Sequence, residues 1–199
     1  MTALLWAGAL GTCLFVITFL VDGLTRPGYR PVRHPVSALA LGPRGWIQTT
    51  NFLVCGLAVT VAAFPLAGAL DSVLLAVVVG VFGAALVASG VFPMDPMRGY
   101  PPGAPEGTPS ETSLRHKLHD YAGVVVFFGL PVAAAIAAIV VPETGWRLYS
   151  GVTAVLAFAG FGAFGNAWEN DSPRVGLIQR GVIGVGWLWL GLLFVHAAA

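Results

Sequence analysis

The sequence predicts an all-α integral-membrane bundle of six transmembrane helices with both termini on the outer side, and three observations carry that prediction. Of the 199 residues, 57% are hydrophobic and only 10% are charged, against about 25% charged in an ordinary globular domain. Mean hydropathy is +0.83. Six apolar stretches reach the roughly 17–25 residues that cross a bilayer as a helix, and their Ala, Gly and Val content lacks the alternation of a barrel strand. Finally, nine of the ten basic residues fall in three polar stretches.

The first apolar stretch, Leu4 to Val21, has no Lys or Arg before it and runs longer than the apolar core of a secretory signal. It is expected to be a helix of the mature protein. In the polar segment 22–45, Val36 to Leu41 is expected to form a short interfacial helix between Pro35 and Gly42. Trp46 to Leu70 and Val73 to Phe92 are the second and third spans. The connection that follows, 93–121, carries Pro93, Pro96, Pro101, Pro102, Pro105 and Pro109. It predicts neither regular helix nor sheet, leaving a lid and a floppy linker both open. Ala122 to Val141, Leu148 to Trp168 and Leu177 to His196 complete the set, as one bundle over residues 1–199. Small-residue stripes at i, i+4 spacing (Gly80, Ala84, Ala88 and Ala159, Ala163, Ala167) place helices 3 and 5 in the bundle interior. Cys13 and Cys55 lie inside predicted helices and indicate neither a disulfide framework nor a metal motif.

Six spans put the connections on two sides. One side holds Arg26, Arg30, Arg33, Arg44, Arg98, Arg115, Lys117, Arg174 and Arg180; the other holds Arg147 alone. By the positive-inside rule the three long loops face the cytoplasm, in an inner membrane. A net charge of +1 and the absence of a phosphate-binding G-x-x-x-x-G-K loop disfavour nucleic-acid binding and nucleotide hydrolysis.

Four carboxylates sit where helices meet these loops: Asp22, Asp95, Asp120 and Glu169. Negative charge is favourable at a helix N-terminus and unfavourable at a C-terminus, so Asp120 suits its place as a helix cap. Asp22, Asp95 and Glu169 must each pair with an arginine or keep a proton with a raised pKa. A Glu169–Arg180 pair is one such possibility. Asp95, fixed between Pro93 and Pro96, is the expected general acid, with His119 or Asp120 tuning it. His116 and His119 share a helical face if the fourth helix begins near Ser113. With Asp95 or His34 they make a candidate zinc site, although no cofactor is favoured. Ser37 beside His34 lacks the G-x-S-x-G elbow of a serine nucleophile. Phe128, Phe161 and Trp168 are the expected shield for an apolar substrate, with Tyr121, Asn166 and Arg98 as further contacts. Aromatic faces of this kind also stabilise a carbocation.

The run Asp22 to Gly45 (DGLTRPGYRPVRHPVSALALGPRG), the element Val91-Phe92-Pro93-Met94-Asp95-Pro96 and the segment His116 to Asp120 resemble the prokaryotic six-helix family called domain of unknown function 998. That resemblance implies the six-helix bundle and no activity. A looser likeness is to membrane hydrolases of the alkaline-ceramidase type, which implies Ser37, Asp95, His116 and His119 around zinc. Small membrane-bound terpene cyclases are similar in architecture. The expected function is general-acid chemistry on a membrane-soluble isoprenoid or lipid, such as terpene cyclisation, at a polar cytoplasmic mouth. A zinc-dependent lipid hydrolase and a non-catalytic subunit, lipid-binding protein or transporter are the alternatives.

Overall fold

A computed structural model describes residues 1–199. It comprises α1 (Thr2–Thr25), a 3-10 turn (Val36–Ala40), α2 (Gly45–Ala69), α3 (Val73–Val91), α4 (Leu114–Val140), α5 (Thr144–Glu169) and α6 (Val175–Ala198). All six helices are long and apolar enough to cross a membrane, and the fold is all-α. The protein is an integral membrane protein. The 3-10 turn lies where the short interfacial helix was expected, with Pro35 before it.

The largest departure from the expected boundaries is at α4, which starts at Leu114 and not at Ala122. Hydropathy registers only the apolar run, but a polar cap starts the helix further upstream. Ser113 accepts the His116 backbone N–H through its side chain, satisfying one of the donors a helix N-terminus leaves unpaired. Segment 116–120 is therefore helical. Asp120 sits in the second turn and is not the cap. Asp22 likewise lies inside the last turn of α1.

Each helix packs on its neighbours in sequence and α6 closes on α1, so the six form a ring with few contacts across it. No helix is interior, which corrects the reading of the small-residue stripes. Ala84, Ala159 and Ala163 are exposed, because small side chains adjoin lipid tails as readily as a neighbouring helix. Close approach falls to other glycines. A Cβ on Gly83 would stand 2.5 Å from Thr60 Oγ1, and one on Gly56 would stand 2.8 Å from the Val87 backbone nitrogen. Thus α2 and α3 meet backbone to backbone.

The three long connections knit into one cap over one end of the ring. Arg26 Nη1 donates to Leu39 O (2.7 Å), Leu41 O (2.9 Å) and the Tyr100 hydroxyl (3.3 Å). Arg180 Nη1 donates to Pro31 O (2.5 Å) and His34 O (3.0 Å). Arg98 Nη2 donates to Trp168 O (2.7 Å) and pairs with Asp171 at 3.1 Å, its guanidinium 3.8 Å over the Trp168 ring. The segment after α3 is thus an ordered lid. At the opposite end Leu190, Leu193 and Phe194 are fully buried, and the Trp189 indole donates to Ser150 Oγ at 3.0 Å.

Candidate functional site

Between the cap and the packed end, the ring encloses a cavity of about 330 Å³ that all six helices and the 3-10 turn line. Its floor is Trp187, stacked on Phe15 at 4.9 Å and meeting Phe82 edge-on at 5.0 Å. Phe52, Leu86, Phe127 and Phe161 form much of the wall. Toward the cap the lining turns polar, with Ser37, His116, His119, Asp120, Glu169 and Gln179.

The cavity reaches the lipid-facing surface between α4 and α5. Val124 lines it and is still 52% exposed. Gly123 and Gly165 flank the opening, and a Cβ on either would meet nothing within 4 Å. Phe127 closes the seam below, its ring stacked on Phe161 (5.7 Å) and Phe164 (5.1 Å). Pro131 lies inside α4, and lacking an N–H it leaves the Phe127 carbonyl without its helical partner.

Backbone contacts fix the tautomers of the two histidines. His119 is 8% exposed, and its Nδ1 stands 2.8 Å from Phe92 O and 3.2 Å from Ser89 O. Carbonyls only accept, so Nδ1 carries the proton and Nε2 is a free acceptor toward the cavity. His116 is the reverse case. Its Nδ1 accepts the Asp95 backbone N–H at 3.0 Å, so Nε2 holds the proton and lies 3.3 Å from Asp120 Oδ2. The cavity therefore presents a proton acceptor on His119 and a proton donor on His116, one helical turn apart.

Several expected site residues are engaged elsewhere. Asp22, 3% exposed, is ion-paired to Arg26 and, at 2.6 Å, to Arg44; it holds the first loop. Asp95 accepts the Ser113 N–H and hydroxyl, both at 2.7 Å. Partial burial pushes its carboxyl up, but the two Ser113 donors and His116 outweigh this and hold it below the usual carboxylate range. That corrects its expected role: Asp95 is an ionised partner of the α4 cap, off the cavity lining, and not a poised acid. Arg98 is consumed in pinning the lid to α5. Phe128, Tyr121 and Asn166 are exposed on the outside of the bundle and line no part of the cavity. An α-helix turns a residue's neighbours by about 100°, and position in an apolar run does not say which face looks inward. Arg180 does not meet Glu169; it donates to backbone carbonyls and the Tyr29 hydroxyl at 2.5 Å. His116, His119 and Asp95 do not converge as metal ligands, nor does any other group of three His, Cys, Asp or Glu side chains. Ser37 Oγ donates to Met94 Sδ at 3.4 Å with no base beside it.

The expected residues that do meet in the cavity are His119, Asp120, Glu169, Phe161 and Trp168, with His116. Sequence reasoning missed Gln179 and Phe15. Gln179 is a polar residue within an apolar span, a signal that usually marks a cavity. Its Oε1 accepts the Val36 N–H at 2.7 Å, which leaves its Nε2 amide donors toward the space. Phe15 gave no such signal.

A ring of six apolar helices around an aromatic chamber with a polar, histidine-bearing rim defines an integral membrane protein with an internal ligand-sized cavity. The chain belongs to the family described as "Protein of unknown function (DUF998)", whose match covers residues 9–196. Neither curated proteins nor solved structures give a match.

Proposed function

We propose that this protein is a membrane enzyme that performs proton-transfer chemistry, such as isomerisation or cyclisation, on a membrane-soluble isoprenoid or lipid. The observation that carries the reading is the meeting, in one cavity, of an aromatic apolar chamber and two histidines held in complementary tautomers. The lateral opening between α4 and α5 suits a ligand arriving from the bilayer. His119 Nε2 would take a proton from the bound molecule and return it from the resulting imidazolium at another carbon, while the His116 Nε2–H, beside Asp120, would hydrogen-bond to the molecule's polar group and polarise it. The ring faces of Phe161 and Trp187 would favour any cationic character that develops. The proton carrier in this scheme is His119, with His116 as hydrogen-bond donor, in place of Asp95. The nine-to-one distribution of basic residues supports a cytoplasmic cap in an inner membrane with the termini outside. Against a transporter stands the packed end beyond Trp187, where Leu190, Leu193 and Phe194 are fully buried.

Incubating purified protein with a lipid and isoprenoid extract and following products by mass spectrometry tests this. His119→Ala and His116→Gln should each slow turnover about 10²-fold or more while the protein still elutes as a folded species. Product formation undiminished in both variants would remove the histidines from the chemistry.

A further inference from the structure

The charge of the lining restricts the ligand's polar end. The cavity's lining includes no lysine or arginine, and its only carboxylates, Asp120 and Glu169, stand at the rim. Of the cap's buried or half-buried cations, Arg26, Arg98 and Arg180 are committed to backbone carbonyls, Asp22, Asp171 and tyrosine hydroxyls, and Arg33 and Arg44 pair with Glu106 and Asp22. A phosphate or carboxylate head would thus meet a lining that holds two carboxylates and no lysine or arginine. Two buried polar groups without a partner in the protein do point into the space. His119, 8% exposed, offers the Nε2 lone pair, and Gln179, 5% exposed, offers its Nε2 amide hydrogens. One accepts and the other donates.

We propose that the cavity is a binding site for an uncharged, hydroxyl-bearing isoprenoid or lipid, its hydroxyl donating to His119 Nε2 and accepting from Gln179 Nε2, and that it rejects phosphorylated counterparts. A hydroxyl is both donor and acceptor and satisfies both groups at once. An ammonium is a donor only and would leave the Gln179 amide facing a cation. The inference rests on the reading of the cavity as a ligand site and adds the chemistry of the head.

The experiment is equilibrium binding of farnesol, farnesyl phosphate and farnesylamine to the full-length protein in detergent, with Gly165→Trp as a blocked cavity. The indole would project into open space, so folding should survive; gel filtration checks this. Farnesol should bind saturably, and Gly165→Trp should abolish the binding. Farnesyl phosphate should bind about tenfold or more weakly, the effect of roughly one like charge near the rim. The Asp120→Asn, Glu169→Gln double variant should narrow that gap. Equal or tighter binding of the phosphate, or tighter binding of the amine, overturns the assignment of the head and leaves the apolar site standing. If no probe binds, or if binding is indifferent to Gly165→Trp, the cavity reading falls with it.

Discussion

Asp22 illustrates how a carboxylate at an unfavourable helix end is made stable. With Arg26 and Arg44 both on it, the α1 dipole is opposed by two guanidiniums, and Arg26 carries the charge on to the carbonyls of Leu39, Leu41 and Arg44. Removing the acid strands a buried arginine. Asp22→Ala should therefore cost about 3–5 kcal/mol, seen as a large drop in the thermal midpoint in detergent, whereas Asp22→Asn, which keeps an acceptor, should cost clearly less. A midpoint unchanged in Asp22→Ala would refute the structural role. The sequence had offered two fates for such acids, pairing or a retained proton, and it could not choose between them. The choice depended on Ser113 and Arg44, brought up by loops whose path no periodicity encodes. The same holds for Asp95, whose partner Ser113 lies eighteen positions away, whereas the spacing of His116 and His119 on α4 is local.

At the scale of elements, the cap is tied by Tyr29, His34 and Tyr100, whose rings sit 5.3 Å apart pairwise. Burial pushes the Tyr29 hydroxyl up to about 12, against the pull of Arg180, so it stays protonated and donates to Pro35 O at 2.9 Å. Burial also lowers the His34 pKa, and Arg33, Arg30 and Arg180 around it push the same way against its bond to the Arg98 backbone. Neutral His34 accepts the Arg30 N–H on Nδ1 at 2.9 Å, a bond that protonation would destroy. Because the folded pKa lies below the unfolded value of about 6.5, the His34 contribution is intact above that pH and is lost as pH falls through the folded value. The protection of backbone amides in segment 28–41, corrected for the intrinsic pH dependence of exchange, should fall as the pH drops below about 6.5, and His34→Gln should flatten that dependence. Equal pH sensitivity in the variant would point to another group. Helix number and the 3-10 turn were legible from apolar runs and Pro35. The start of α4 was left open between Ser113 and Ala122, since the apolar run begins only at Ala122 while the Ser113 cap precedes a polar turn.

Across the whole molecule, glycines mark both the closest helix contacts and the open faces. Glycines in α1, α2 and α3 stand against their neighbours: a Cβ on Gly8, Gly11, Gly56, Gly83 or Gly90 would come within 3 Å of another group. In α5 and α6, Gly160, Gly176, Gly186 and Gly191 are as close to their neighbours, while Gly123, Gly162, Gly165 and Gly181 face nothing within 4 Å. Only 22% of the apolar window of α5 is buried, the least of the six. The ring was not predictable from the sequence, since closure of α6 on α1 depends on which faces meet and small-residue stripes mark faces that lipid can also cover.

A cavity of about 330 Å³ at the centre of so small a bundle has a thermodynamic meaning beyond recognition. A bound lipid would stand in for side chains the core lacks, and so would bind the folded chain and not the unfolded one. Saturation at a hundredfold above Kd would add about 2.7 kcal/mol to stability. Stripping co-purified lipid with repeated detergent exchange should lower the thermal midpoint, and adding it back should restore the midpoint; a midpoint indifferent to both would mean the space contributes nothing to folding. If it does contribute, the lifetime of the protein tracks the supply of its ligand, since a less stable chain is cleared faster. A membrane poor in that molecule would hold fewer copies without any change in synthesis.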